Sequence, residues 1–142
     1  MSWKPIVIAS LCLSAIPLLI LPQAIAAPSI TLTASPWQPV ARIDPNKPFQ
    51  VQIINKTGTG LEYSSTTNEF SPRTLAVGAT TRVSQLPTPV YLLINSLDSR
   101  FNLKYTVSTR NNLVTVTVTQ LAESNPGYST VNIQTTGGIF IY

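Results

Sequence analysis

The sequence predicts an all-β protein: a single antiparallel β-sandwich, Ig-like or of a related Greek-key kind, with eight or nine short strands, preceded by an N-terminal signal helix. Three observations predict it. First, no stretch beyond residue 26 keeps apolar residues at i, i+3 and i+4 over three turns, so no amphipathic helix is written into the chain. Second, short runs rich in Val, Ile and Thr alternate apolar and polar residues with period two, the signature of a half-buried strand. Third, Gly, Asn, Asp and many of the 12 prolines punctuate these runs about every ten residues, as turns do in sandwiches.

The N-terminus stands apart from this pattern. A short start ends in Lys4, residues 5–21 are almost wholly apolar, and Ala24-Ile25-Ala26 forms an A-x-A cleavage site. We expect residues 1–26 to be a cleaved signal peptide and 27–142 to be the sandwich domain. Cleavage is expected between Ala26 and Ala27, because a cut one residue later would place the tertiary amide of Pro28 at the scissile bond. A transmembrane helix needs about 20 apolar residues, and here Pro17 and Pro22 interrupt the run while no basic stop-transfer cluster follows it. Cys12 follows the bulky Leu11 inside the apolar run, not at a cleavage point, so lipidation is not expected. The protein is therefore read as exported, to the periplasm or the extracellular space, touching a membrane only through the uncleaved signal segment.

Each element follows in order. Residues 30–34 (ITLTA) alternate as a first strand, and Pro36 and Pro39 break it because proline cannot donate to a ladder. Residues 40–43 resume as an edge strand. Asp44-Pro45-Asn46-Lys47 has the composition of a type I turn, with Pro at the second position. Residues 49–55 (FQVQIIN) place Phe49, Val51 and Ile53 on one face and Gln50, Gln52 and Ile54 on the other. Residues 56–60 turn, 61–63 begin a strand, and 64–72 read as a polar loop. Residues 73–77 and 80–86 are extended pieces around a turn at Gly78, and Pro87-Thr88-Pro89 is a stiff connector. Residues 90–95 (VYLLIN) are apolar on both faces, so they belong at the centre of a sheet.

Residues 101–109 and 113–121 form the clearest pair. Asn tolerates the left-handed conformation that a primed hairpin turn demands. With Asn111-Asn112 as the loop, Tyr105 faces Val118 and Val107 faces Val116, and the apolar face is shared. Residues 130–135 and 139–142 flank a turn at Gly137-Gly138, and the apolar end predicts a paired C-terminal strand.

Composition excludes several kinds of chemistry. The single Cys lies in the signal segment and the chain has no His, so the sandwich offers no disulfide, thiol nucleophile or imidazole base. Zinc sites built on Cys or His are excluded with them, and the Asp and Asn residues are too sparse for a calcium loop. No cofactor or metal ligand set is expected. Without Lys4, eight basic residues face five acidic ones. The basic residues are scattered along the chain and read as ordinary solubilising charge, so no nucleic acid is expected as a partner. Asp44 and Asp98 sit in turn contexts, Glu62 lies opposite Leu61 and Tyr63 on a strand, and Glu69 and Glu123 lie in polar loops. None is paired for acid–base work, no G-x-S-x-G or S-x-x-K motif occurs, and no catalytic residue is assigned. Asn55-Lys56-Thr57 matches the glycosylation acceptor pattern, and a local Asn cap explains it equally well.

Aromatic residues are the surface-binding candidates. Trp37 sits on a loop stiffened by Pro36 and Pro39, where it either anchors a partner or plugs one end of the sandwich. Tyr63, Tyr128 and Tyr142 carry the same two readings.

The segments Asn55-Lys56-Thr57-Gly58, Leu61-Glu62-Tyr63 and Arg73-Thr74-Leu75-Ala76-Val77-Gly78 resemble small exported bacterial β-sandwich proteins of unknown function. These are turn-and-strand signatures, so the resemblance implies a fold and carries no functional residue. The leading expectation is a non-enzymatic binding or assembly module at the bacterial cell envelope, with an envelope protein or glycan as partner. The alternatives are a structural subunit that self-associates by edge strands, with 113–121 or 139–142 as the added strand, a small outer-membrane barrel, and a small hydrolase lacking His and Cys.

Overall fold

The computed structural model describes residues 38–121 and 125–142. The signal segment with Ala26 and Ala27, the expected strand at 30–34, Trp37 and Glu123 lie outside the described residues.

Among the described residues, ten strands form two sheets. The first sheet contains β1 (Ala41–Arg42), β3 (Leu61–Ser65), β4 (Arg73–Leu75), β6 (Val90–Ser96), β9 (Thr130–Ile133) and β10 (Gly138–Ile141), in the spatial order β1-β10-β9-β6-β3-β4. The second contains β2 (Gln50–Asn55), β5 (Thr80–Ser84), β7 (Asn102–Arg110) and β8 (Leu113–Leu121), in the order β5-β2-β8-β7. One apolar core unites them: Leu61, Leu92, Ile94, Val131 and Ile139 from the six-stranded sheet, and Val51, Ile53, Val114, Val116 and Val118 from the four-stranded one. All these side chains are at most 1 % exposed, as expected of the inward positions of two packed sheets.

The hairpin register is the one the apolar alternation demands. Tyr105 pairs with Val118 and Val107 with Val116, and Asn111 and Asn112 take φ of 50° and 58°, the primed-turn conformation. The C-terminal strand is paired on both sides, with β1 and β9. The Asp44 turn closes through the Lys47 N–H on the Asp44 carbonyl, with the Asn46 N–H on Asp44 Oδ1.

Three expectations are corrected. The sandwich is not wholly antiparallel: β2 runs parallel to β8 from Gln50↔Leu113 to Asn55↔Val118. That pairing joins segments separated by five intervening strands, and no local alternation encodes it. Ten strands stand among the described residues in place of eight or nine, with the pieces expected at 40–43 and 73–77 reduced to the two-residue β1 and the three-residue β4. Finally, β6 is central, between β9 and β3, but only Val90, Leu92 and Ile94 face the core, while Tyr91 is 40 % exposed. The turn at Gly78 also does more than join neighbours. It carries the chain from β4 in one sheet to β5 in the other.

Two asparagines hold such crossings. Asn55, fully buried at the end of β2, accepts the Thr57 N–H at 2.9 Å and the Thr57 hydroxyl at 2.7 Å on Oδ1. Its Nδ2 donates to the carbonyls of Thr59 (2.9 Å), Leu75 (3.3 Å) and Ala76 (3.0 Å). One amide thus ties the β2–β3 loop to the β4–β5 crossing. Its burial settles the two sequence readings of Asn55: the side chain is a structural cap, inaccessible to a glycan. Asn112 acts at the other end of β2. Its Oδ1 accepts the Asp44 N–H at 2.8 Å, and its Nδ2 donates to the Asp44 carbonyl at 2.9 Å, so the β7–β8 turn grips the β1–β2 crossing.

Asn55→Ala strands a buried N–H and several carbonyls, each worth about 1–3 kcal/mol when unsatisfied. We expect it to lower the urea-unfolding free energy by about 2–4 kcal/mol. Gly137 and Gly78 supply a second, paired expectation. Both have positive φ, 78° and 71°. A Cβ on Gly137 would lie 2.3 Å from the Ile43 carbonyl oxygen, whereas one on Gly78 meets nothing within 4 Å. Gly78→Ala should cost about 1 kcal/mol, the left-handed penalty alone, and Gly137→Ala distinctly more, in the same unfolding assay.

Candidate functional site

The outward face of the four-stranded sheet is assembled by register. Across the strands, Arg82 lies beside Gln52, Gln52 beside Thr115, and Thr115 beside Ser108. The flanking rows are Ser84, Gln50, Leu113 and Arg110 on one side, and Thr80, Ile54, Thr117 and Thr106 on the other. Thr119 and Lys104 extend the face toward the start of β7. Period two places every one of these residues opposite the core positions Val51, Ile53, Val114, Val116, Val118 and Tyr105. The border residues Arg82, Lys104, Thr106, Ser108 and Arg110 are exposed, and the central Gln52 and Thr115 are half-buried by their neighbours.

The electrostatics of this face are one-sided. Among the described residues the ion pairs are Lys47–Asp44 at 3.0 Å and Arg100–Asp98 at 2.7 Å, both in loops. Arg82 Nε donates to Gln52 Oε1 at 3.2 Å, and its terminal nitrogens make no hydrogen bond or ion pair among the described residues. Arg82, Lys104 and Arg110 have no carboxylate partner within ion-pair distance among the described residues. Glu62, by contrast, belongs to the six-stranded sheet, between Asn95 and Thr74.

An open groove borders the face where β2 begins, β5 ends and the β7–β8 hairpin turns. It encloses about 580 Å³ and is lined by Phe49, Gln50, Gln85, Leu86 and Asn112 among others. A second groove of about 290 Å³ shares Ser84, Gln85 and Leu86 with it and runs past Glu69, Arg73 and Arg82. Gln85, common to both, has φ of 60°, a left-handed conformation that costs a non-glycine residue about 1–2 kcal/mol. The Arg73 guanidinium stacks 5.2 Å from the centre of the Phe70 ring. Glu69 is engaged by the Ser65 and Thr67 hydroxyls, and these hydrogen bonds hold its carboxyl below the usual range.

The aromatic candidates separate. Tyr63 is 5 % exposed, with its hydroxyl 3.1 Å from Thr81 Oγ1 and its ring tilted against Phe70 at 5.8 Å. It is a core residue linking the two sheets, and its place as a surface contact is corrected. The cause is its position on the inward face of β3, alternating with Glu62 and Ser64. Tyr128 is 37 % exposed and packs on Tyr105 at 5.9 Å, lining a shallow groove of about 250 Å³ with Asn95, Phe101 and Asn102. Arg82, Lys104 and Arg110 were legible only as scattered charge. They come to share one face because the parallel β2–β8 pairing joins β5 to the hairpin. Against known protein families and curated proteins, the chain has no match.

Asp44 and Asp98 serve turns. Asp98 Oδ1 accepts the Arg100 N–H and Nε, and Asp98 Oδ2 accepts Arg100 Nη2. The Arg100 side-chain hydrogen bonds, with the backbone one, pull the Asp98 carboxyl down to about 2 from 3.8. A depressed folded-state value stabilises the fold above the unfolded pKa and is lost as pH falls through the folded one. This contribution is therefore present above pH 3.8 and disappears toward pH 2. An NMR carboxyl titration should give Asp98 a midpoint near 2, and Arg100→Gln should return it toward 3.8.

Proposed function

We propose that this chain is a non-enzymatic binding or assembly module of the bacterial cell envelope, exported by its N-terminal segment and cut between Ala26 and Ala27. The proposal extends to the finer fold, an Ig-like or related Greek-key sandwich of the kind found in the small exported bacterial proteins it resembles. The observation that carries the binding reading is the outward face of β5-β2-β8-β7. It presents hydroxyls, amides and unpaired cations over a rigid sheet, beside an open groove. Such a surface supplies many hydrogen bonds and no paired acid and base, which suits recognition better than bond cleavage. The partner is an envelope protein or glycan.

Self-association by strand addition is the second reading, and the topology restricts it. Both β8 and β10 have neighbours on each side, so neither 113–121 nor 139–142 can serve as the added strand while the fold is intact. The nine-residue β7 ends the four-stranded order among the described residues; the Tyr128 N–H donates to the Leu103 carbonyl near its start, and the stretch of edge beyond is the template for pairing.

Cells producing the full-length chain should release it from the cytoplasm with Ala27 as the new N-terminus, and the released protein should cosediment with isolated envelope. N-terminal sequencing and fractionation check this. Full-length protein retained in the cytoplasm, or exported protein that leaves the envelope wholly in the supernatant, would overturn the proposal.

A further inference from the structure

Resting on that reading, we propose that the outward face of β5-β2-β8-β7 binds an extended acidic polysaccharide, one bearing carboxylate, sulfate or phosphate groups. The first argument is charge. Arg82, Lys104 and Arg110 project from a face on which the register places no carboxylate. Lys56 adds to its margin, one residue beyond β2, where its N–H still bonds the Val118 carbonyl at 2.8 Å. Guanidinium groups with free terminal nitrogens match carboxylate, sulfate and phosphate oxygens in bidentate fashion.

The second argument is dimension. Strand geometry puts Lys104 and Arg110 about 20 Å apart along β7, and Arg82 about 14 Å away across the sheet. No single sugar spans that frame, whereas a chain of sugars lying flat does. Between the cations, Gln52, Thr115, Thr117 and Ser108 present donors and acceptors about 7 Å apart along each strand and about 4.8 Å apart across strands. Repeated hydroxyl recognition needs such a lattice.

The third argument is what the face lacks. Among the described residues it carries no aromatic side chain, and Ile54, Leu113 and Leu121 are its few large apolar residues. A protein partner wants a central aromatic or apolar anchor, and single-stranded nucleic acid wants rings to stack on. Recognition here has to come from charge and hydrogen bonding, which favours an acidic glycan over a neutral one.

The test is biolayer interferometry of the full-length protein on immobilised polygalacturonate, neutral dextran and a DNA duplex. Polygalacturonate should bind, with an affinity that weakens as salt screens the cations, and dextran should not. The triple variant Arg82→Gln, Lys104→Gln, Arg110→Gln should weaken binding at least tenfold. The charge-matched variant Arg42→Gln, Lys47→Gln, Arg100→Gln, off this face, should change it less than twofold. Thr117→Glu, in the centre of the lattice, should weaken it at least fivefold. Circular dichroism melting of each variant separates loss of binding from loss of fold. Equal losses in the two triple variants, binding of DNA as tight as polygalacturonate, or no binding to polygalacturonate would overturn the inference. Cosedimentation with envelope that persists without polygalacturonate binding would sink this inference and leave the envelope reading standing. Loss of both would sink both.

Discussion

The structure depends most on the amide of Asn55. A sandwich buries its two sheets only if the chain passes repeatedly between them, and each passage leaves loop carbonyls and N–H groups without a ladder. Asn55 answers this at one end of β2 with five hydrogen-bond contacts from a single fully buried side chain. Its two amide hydrogens serve three carbonyls, so one hydrogen is shared. The network is strong because it is nearly complete, and a buried network with a missing member costs more than an apolar replacement. Asn112 does the corresponding work at the other end, where it also occupies a left-handed position in the hairpin turn. Two residues of one type thus hold the crossings at both ends of the strand on which the four-stranded sheet is centred.

Between these ends the sheets are joined through tyrosines as well as through the aliphatic core. The Tyr105 hydroxyl on β7 donates to the Ile94 carbonyl on β6, and Tyr63 on β3 meets Thr81 on β5. Burial holds the Tyr105 phenol above its ordinary value. A phenol kept protonated in the fold and ionised in the unfolded chain makes stability fall as pH rises through the unfolded value, about 10. With no disulfide in the sandwich, these polar links complement apolar burial in fixing one sheet against the other.

That clamping also fixes the outward face of β5-β2-β8-β7, the surface proposed for binding. Its polar side chains stand on strands whose opposite faces carry core residues such as Val51, Ile53, Val83, Val114, Val116 and Tyr105, so the lattice is held in place by the core behind it. Holding recognition groups on a preformed sheet would lower the ordering cost of the proposed association. The hydroxyl-rich outer positions of β8 and the apolar inner ones are two readings of one sequence, LVTVTVTQL, separated by a single residue of register.

Much of the local physics was legible in the sequence. The β7–β8 register followed from alternation plus two asparagines able to adopt positive φ, the Asp44 turn from Pro at its second position, and the paired C-terminus from an apolar end. Period two alone assigned Val51 and Ile53 to the core and Gln50 and Gln52 away from it. The same rule put Tyr63 beside Leu61 on the inward face, but an isolated tyrosine also looks like a contact residue until its neighbours are known. What only the tertiary structure decided is long-range. The parallel β2–β8 pairing, the passage between sheets at Gly78 and the gathering of Arg82, Lys104 and Arg110 join residues far apart in the chain. Local alternation specifies which face of a strand is buried. It does not specify the neighbour, because that choice depends on how all the apolar faces close together around one core.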